Sequence, residues 1–326
     1  FSEMGRRLSG PPSAERLGLL ERVCEKSGLV ALVDGVWRPA ARAASWLKKS
    51  PEARQRQLFD AWRTEPVWNE LCQLPGLRCE KTGWRNDPRL ARDAVVKHLR
   101  ECPADTWSTI SSFVDSVREV DPDFQRPDGD YDSWYIQDGR TGAYLSGFVH
   151  WDAVEGALLR YLLTHPLLWL GLVLLGREAS DAAPACFRLT RLGAAVLRLP
   201  AAESSPSGAV EVKPARQSIV LRPDSSIIVP AAAEWYDRWL LGRFATWAGS
   251  KQGAALYRLD AVALQTSLKE GVTLPQILAF LKRVSGGRVP PQTVEALRSL
   301  AEAKPGARSN LPGHASDAAP VTRLAV

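Results

Sequence analysis

The sequence predicts an α+β fold that is predominantly helical, and three observations support this prediction. Apolar residues recur at helical spacing in several segments that begin with a capping residue. Short apolar runs flanked by turn residues predict small hairpins between those helices. With 326 residues, of which 45% are hydrophobic, the chain is long enough for two or three domains with separate cores.

The first elements predict a winged-helix-like domain over residues 1–87. Residues 13–26 have an amphipathic pattern with Ser13 as the cap, and Asp34-Gly35 supplies the turn of a hairpin that follows. A helix followed by a small hairpin is the closing half of a winged helix. A second helix is expected to begin at Ser50-Pro51, because serine caps helices and proline fits their first turn.

Residues 88–200 predict a second, helical domain of similar type. A helix over 88–102 is stopped by Pro103, and Asp105-Thr106 would cap another helix that runs to Val117 and buries Trp107. Two helices at a short turn resemble a helix-turn-helix core, although many all-helical domains share that outline.

The second half of that domain predicts the winged-helix order again. A helix over 151–164, a helical turn after Pro166, two strands over 172–175 and 186–190, and a helix capped by Thr190 follow one another. The loop over 176–184 would be the wing. We therefore expect tandem winged-helix-like domains.

In the acidic run over 121–132, Asp128, Asp130 and Asp132 occupy every second position, as the first ligands of a calcium-binding loop do. Ser133 stands where such a loop needs its turn glycine, and Gly139 stands where it needs the closing glutamate. A solvated acidic linker at a domain boundary is the favoured interpretation.

A small α/β module is predicted over residues 210–303, between a Ser- and Pro-containing linker at 201–209 and a disordered tail at 304–326. The turn and capping residues between its apolar runs predict two short strands, a Trp-rich helix, a strand that ends at Asp260, and further short helices. Gly271-Val-Thr-Leu-Pro275 marks the end of one helix and the start of the next.

This module resembles the XPB-type helicase N-terminal domain, which accompanies DNA-repair helicases and occurs in bacterial helicase-associated proteins. The residues that carry the resemblance are 219–230, 257–281 and 289–294. Bacterial members are also similar upstream, through Pro166-Leu-Leu-Trp-Leu-Gly171 and Phe187-Arg-Leu-Thr-Arg-Leu-Gly193. The resemblance covers roughly residues 130–300, and residues 13–130 only loosely.

The resemblance implies DNA binding or protein docking beside a separate helicase, ATPase or nuclease. Family members continue past the last helix into a further Trp-containing helix and strands, whereas this chain continues into its Pro, Gly and Ser tail, so the comparison implies an incomplete module. The first residue is Phe1 rather than Met, which is consistent with a fragment of a longer protein.

Sequence motifs for catalysis are missing, so we expect a non-enzymatic protein without a cofactor. No G-x-x-x-x-G-K-[S/T] string is present to hold nucleotide phosphates, and neither G-x-S-x-G nor H-E-x-x-H occurs. The four histidines and five cysteines have no metal-ligand spacing, and the cysteines form no disulfide framework, which favours a reducing cytoplasm. No apolar run is long enough to span a membrane.

The charge pattern favours a polyanionic partner such as nucleic acid, with solvated charged faces as the alternative interpretation. Residues 1–100 carry +7, residues 101–150 carry −7, and residues 251–326 carry +5. Basic regions of this kind favour a polyanion, and a DNA-binding protein could associate with the nucleoid. The candidate phosphate contacts are Arg42, Lys48, Lys49, Arg54, Arg56, Lys97, Arg100, Lys251, Lys282, Arg283 and Arg288.

Two interpretations stay open from the sequence. The helix over 106–117 would face the DNA groove with Ser108, Ser111, Ser112 and Arg118, although its surroundings are acidic. Trp235, Trp239 and Trp247 could stack on bases, but their spacing favours one buried helical face.

The alternative function is a protein-interaction scaffold whose acidic middle segment meets a basic partner.

Overall fold

The computed structural model describes residues 13–80, 86–177, 183–198, 218–251 and 253–302. The chain mixes helices with small antiparallel sheets and divides into two compact units, Phe1–Val210 and Glu211–Val326. The predicted linker at 201–209, the tail at 304–326 and most of the predicted wing at 176–184 lie outside the described residues. The coarse α+β prediction is confirmed.

The first unit begins with the predicted helix and hairpin. Helix α1 spans Ala14–Lys26, and the Ser13 side chain accepts a hydrogen bond from the Arg16 amide at its start. Strands β1 (Val30–Val33) and β2 (Val36–Pro39) then pair antiparallel around Asp34 and Gly35. Both turn residues have positive φ, 52° and 73°, which is the geometry that an Asp-Gly hairpin turn requires.

Two helices follow the hairpin, of which only the second was predicted. Helix α2 spans Arg42–Leu47, and helix α3 spans Pro51–Thr64 with Ser50 as its cap. Trp62 is fully buried on α3, as its spacing predicted. A short 3-10 helix, Glu70–Gln73, and strand β3, Leu77–Cys79, close this part of the chain.

The next segment corrects one predicted helix start. Helix α4 spans Pro88–Leu99, strand β4 spans Ser108–Thr109, and helix α5 spans Ile110–Val120. Thr109, not Asp105-Thr106, caps α5, since its hydroxyl accepts the Ser112 amide. Residues before Thr109 instead pair as a strand, so Trp107 is exposed rather than buried.

The acidic run is not a solvated linker. Phe124, Gln125 and Arg126 are buried in the same core as the helices, and strand β5 (Ile136–Asp138) then pairs with β3. The run is anchored because Arg126 forms a buried ion pair with Glu155, with 2.6 Å between Nε and Oε1. The prediction of a solvated linker was wrong, because Arg126 pairs with Glu155, 29 residues away, and this contact buries part of the run.

The remaining elements of the first unit match their predicted order. One turn of π-helix, Asp152–Gly156, leads into α6 (Ala157–Thr164) and α7 (Pro166–Trp169). Strands β6 (Val173–Gly176) and β7 (Cys186–Leu189) precede α8 (Arg191–Leu197), which Thr190 caps. The three-stranded antiparallel sheet has the order β4-β7-β6.

One hydrophobic core runs through the first unit, from Leu19 in α1 to Leu197 in α8. The predicted boundary between residues 87 and 88 falls within this unit. Helices α3 and α4, from either side of that boundary, are joined by Arg92, which is fully buried.

The described residues of the second unit form a four-stranded antiparallel sheet with four helices. Its strands are β8 (Val220–Leu221), β9 (Ser226–Val229), β10 (Ala245–Lys251) and β11 (Ala254–Leu259), in the order β10-β11-β9-β8. Its helices are α9 (Trp235–Leu241), α10 (Ala261–Lys269), α11 (Leu274–Val284) and α12 (Pro291–Glu302).

Side-chain hydrogen bonds define the turns and helix starts of the second unit. Asp224 binds the backbone and hydroxyl of Ser226 in the turn between β8 and β9. Thr273 and Gln276 form a reciprocal capping box at the start of α11. The Trp-rich helix is shorter than predicted, because α9 ends at Leu241 and Trp247 lies on β10 opposite Tyr257.

Candidate nucleic-acid interface

The hairpin β1-β2 and helix α2 carry exposed basic residues in the described part of the first unit. Residues 26–56 carry seven Lys or Arg against two acidic residues, a net charge of +5. Nearly every hairpin residue is exposed, including Leu32, Val33 and Val36, so the hairpin stands clear of the core. Arg38 lies on the second strand and is also exposed.

Three of the predicted contacts surround α2. Arg42 is its first residue, and Lys48 and Lys49 follow its last; all three are exposed. The Lys49 ammonium donates to Gln57 Oε1 at 2.8 Å, and Gln57 in turn donates to the Ser27 carbonyl. The Lys49 side chain is therefore oriented by α3 rather than fully mobile.

Arg54 is the fourth predicted residue near α2. Its guanidinium lies 5.9 Å from the ring centre of Trp46, a cation–π distance that keeps it against the end of α2. We define the basic hairpin surface as Arg38, Arg42, Lys48, Lys49 and Arg54. These residues occupy positions 38–54 of the chain, after the hairpin turn at Asp34-Gly35 and on both sides of the helix cap at Ser50.

Arg56 and Arg100 have a different environment. Arg56 donates to the Ala195 carbonyl at 3.0 Å, and Arg100 Nε donates to the Leu197 carbonyl at 3.3 Å. Both acceptors lie in the last turn of α8, where helix carbonyls carry partial negative charge. The two arginines therefore cap α8 from neighbouring helices.

Lys97 is also engaged within the protein. Its ammonium lies 2.9 Å from Asp121 Oδ2, and His98 Nε2 lies 3.3 Å from the same atom. Partial burial would raise the pKa of Asp121, but the hydrogen bonds from Lys97 and His98 outweigh it and lower that pKa. The carboxylate reduces what Lys97 offers to a phosphate.

The predicted groove-facing helix presents a mixed surface. Ser111 and Ser112 are exposed on α5, but Ser108 lies on β4 and is half-buried. The Arg118 guanidinium lies 5.4 Å from the ring centre of Phe148 and 5.6 Å from that of Trp151. Next to α5, a cleft of about 320 Å³ is lined by His98, Glu101, Cys102, Pro103, Ser108, Ser112, Phe113, Ser116 and Val117.

Helix α6 packs one face into the core. Leu158, Leu159, Leu162 and Leu163 of α6 are fully buried, and Glu155 before it is 1% exposed. The exposed residues at its start are Asp152 and Ala153. The leucine face of α6 is therefore part of the core, and the exposed residues just before the helix include an acidic one, Asp152.

In the second unit, the predicted cations differ in their availability. Arg283 pairs with Asp237 at 2.6 Å and lies 5.3 Å from the centre of the Phe280 ring. Lys282 and Arg288 are exposed, and the side chain of Lys251 lies outside the described atoms. Trp235 is half-exposed, whereas Trp239 and Trp247 are partly buried, so the three do not form one stacking face.

Sequence reasoning missed the two buried ion pairs of the first unit, Arg92–Glu70 and Arg126–Glu155. A signal existed for the second pair, since Arg126 is the single basic residue of the acidic run. Across the described ranges, no three His, Cys, Asp or Glu side chains lie close enough to hold a metal ion. Nor does any helix in the described part of the chain have the length and apolar character needed to cross a membrane.

No model of a known protein family matches this chain, and no curated protein matches it either.

Proposed function

We propose that the chain is a non-enzymatic DNA-binding accessory protein whose basic hairpin surface contacts the phosphate backbone. The observation that carries the proposal is that Arg38, Arg42, Lys48 and Lys49, from the hairpin to the end of α2, are all exposed within one short segment of the chain. Each cation that meets a phosphate releases a condensed counterion, which favours binding to any duplex. Such contacts position a protein but read no sequence.

The order of elements supports a winged-helix arrangement in the first unit. Helix α4, strand β4, helix α5, strand β5, helices α6 and α7, and strands β6 and β7 follow in that order, and β7 lies between β4 and β6. The helix that would read bases in such a domain is α6, whose apolar side chains are buried. The proposal therefore assigns this domain to support of the hairpin and not to base recognition.

The resemblance of the second unit to the XPB-type helicase N-terminal domain supports a place beside a nucleic-acid motor. The paired strands β8 and β9 and the capped helix α11 lie in the segments that carry the resemblance. A separate helicase, ATPase or nuclease would be the partner and would supply the catalytic activity. The corresponding site in a cell would be the cytoplasm, at the nucleoid.

Fluorescence anisotropy with labelled duplex, single-stranded and forked DNA over a salt series tests the proposal. We expect duplex affinity to fall steeply with salt, and the triple change Arg42→Gln, Lys48→Gln, Lys49→Gln to reduce the log–log salt slope by about 3. The matched control removes the same charge elsewhere in the first unit, through Arg63→Gln, Arg89→Gln and Arg140→Gln. Absence of binding at low salt, or equal effects of both triples, would overturn it.

A protein-interaction scaffold is the second candidate, and one surface favours it. Four large apolar side chains are exposed close together in the sequence of the acidic segment: Tyr135, Tyr144, Phe148 and Val149. The carboxylates of Asp128, Asp130 and Asp132, which precede them in the chain, are also exposed. Aromatic residues beside acidic ones suit a basic protein segment. Binding of a lysine-rich peptide that is lost in Tyr135→Ser, Tyr144→Ser would support this candidate, and no binding would remove it.

A further inference from the structure

A small antiparallel sheet in the first unit turns one face to solvent. Strands β3 and β5 pair, and Tyr144 joins them through a bridge to Gln137. Ile136 on β5 is fully buried, so its neighbours Tyr135 and Gln137 point to the opposite, outer face. Tyr135 and Tyr144 are 50% and 51% exposed. Two large rings therefore lie open on the outer face of this sheet.

The two tyrosine rings form a corner. The ring centres of Tyr135 and Tyr144 lie 6.3 Å apart, and the ring planes meet at 80°. An aromatic ring carries negative charge density on its faces. Since both rings are half-exposed, a cation can approach a ring face from solvent.

A carboxylate lies beside the corner. Glu80 follows β3, and its amide donates to the Tyr135 carbonyl at 3.0 Å, which extends the pairing of the two strands. Glu80 Oε1 accepts the Tyr144 hydroxyl at 2.9 Å and Gln137 Nε2 at 2.7 Å. The bond to Glu80 raises the pKa of Tyr144, so the phenol keeps its proton and remains the donor. Both bonds are made by Oε1, and Oε2 takes part in neither.

The charges around this face favour a cation. Residues 101–150, which supply both tyrosines, carry −7. The two donors to Glu80 Oε1 are neutral groups, so they orient the carboxylate without cancelling its charge. Arg78 is the opposing charge, because it is exposed and lies opposite Gln137 in the strand register, on the same face.

An arginine side chain matches these groups better than a lysine side chain does. A guanidinium is planar and weakly hydrated, so it can lie flat on an aromatic face and donate to a carboxylate, whereas an ammonium is a strongly hydrated point charge. The face is also open, and binding sites for small molecules enclose most of their ligand. The arginine is therefore expected to belong to a larger chain.

We propose that the outer face formed by Tyr135, Tyr144 and Glu80 binds an arginine side chain of a partner protein. The guanidinium stacks on a tyrosine ring and donates to the Glu80 carboxylate. This site gives the protein-interaction candidate a specific ligand group, so it rests on that candidate function and not on DNA binding at the basic hairpin surface.

Titration of the full chain into two fluorescein-labelled peptides of equal charge, followed by anisotropy, tests the site. One peptide has four Arg-Gly repeats and the other has four Lys-Gly repeats. We expect the arginine peptide to bind about fivefold more tightly. Equal affinities would overturn the arginine site and leave a surface that binds basic segments by charge alone. Binding of neither peptide would overturn the protein-interaction candidate as well.

Two substitutions at Tyr135 separate the aromatic face from its apolar bulk. Tyr135→Phe keeps the ring, so the affinity for the arginine peptide should stay within about twofold, whereas Tyr135→Leu should lower it about fivefold. The residue is half-exposed, so both variants should keep the melting temperature of the wild type. Equal affinities of the two variants would overturn stacking on this ring.

Glu80→Gln tests the carboxylate. Glutamine keeps an oxygen that can accept from Tyr144 and Gln137, but it removes the charge. The affinity for the arginine peptide should fall about threefold, and Asp128→Asn, which removes an exposed charge of the acidic segment, should change it by less than about twofold. Arg78→Gln should strengthen binding, because it removes the like charge from the same face. Equal losses in the two acidic variants, or weaker binding by Arg78→Gln, would overturn the contact with Glu80.

Discussion

The guanidinium of Arg92 and the carboxylate of Glu70 form an ion pair that is closed to solvent inside the first unit. Arg92 Nη2 lies 2.8 Å from Glu70 Oε2, and the two side chains are 0% and 2% exposed. The guanidinium also donates to the carbonyls of Trp62, Glu65 and Trp68. The indole of Trp62 donates to Glu70 Oε1 as well, so helices α3 and α4 share one satisfied polar network.

Arg92→Met should destabilise the first unit by about 3–5 kcal/mol. It leaves Glu70 buried without its cation and removes the donor to three backbone carbonyls, and loss of one partner is the costly way to break a buried pair. Urea unfolding followed by tryptophan fluorescence measures the change.

Arg63→Met is the matched control for Arg92. Arg63 also joins α3 to α4 through an ion pair, with Asp93, but in solvent, so the loss should be within about 1 kcal/mol. A similar loss for the two variants would show that the buried network is not the main connection.

Glu155 predicts a pH dependence of stability. Burial raises its pKa more than the ion pair with Arg126 lowers it, and Glu155 Oε2 has no hydrogen-bond partner among the described residues. A raised folded-state pKa means that the folded state holds the proton more tightly. Its contribution is complete below the unfolded pKa of about 4.3 and is lost as the pH rises through the folded value.

Comparison of the wild type with Glu155→Gln isolates this effect, because the two proteins share every other titrating group. As the pH rises from 4.5 to 7.5, the free energy of unfolding of the wild type should fall relative to the variant. Urea titrations at four pH values give the difference. A difference that stays constant or grows in favour of the wild type would contradict the prediction.

Local chemistry explains what could be predicted from the sequence. Ser13, Ser50, Thr190 and Thr273 each bond a backbone amide within three residues, so the starts of four helices are set by neighbours in the chain. The hairpin turn at Asp34-Gly35 is local in the same way.

Partners far apart in the chain explain what could not be predicted. Arg56 and Ala195 are 139 residues apart, and Arg126 and Glu155 are 29 apart, so a basic residue in the sequence gives no sign of its acceptor. The helix expected from Asp105 fails for a similar reason. Residues 108–109 pair with β7, whose position depends on the sheet and not on the local pattern.

Gly193→Ala should disrupt the packing of α8 against Leu172, the residue just before β6. A Cβ at this position would lie 2.1 Å from the Leu172 carbonyl oxygen, and a backbone atom cannot rotate away as a side chain can. We expect a loss of about 3 kcal/mol or more in the free energy of unfolding, measured in urea. Gly76→Ala is the control, since nothing lies within 4 Å of its Cβ position. Equal stabilities of the two variants would contradict the close approach of α8.

Arg56 and Arg100 should contribute to stability and not to DNA binding, in contrast to Arg42 and Lys48. Their hydrogen bonds satisfy carbonyls in the last turn of α8. Arg56→Gln or Arg100→Gln should therefore cost about 1 kcal/mol in unfolding and leave the salt slope of duplex binding unchanged. Arg42→Gln or Lys48→Gln should reduce the slope by about 0.9 each. If all four variants reduce the slope equally, the DNA contacts extend from the hairpin across α3, and the two arginines bind phosphate in addition to capping α8.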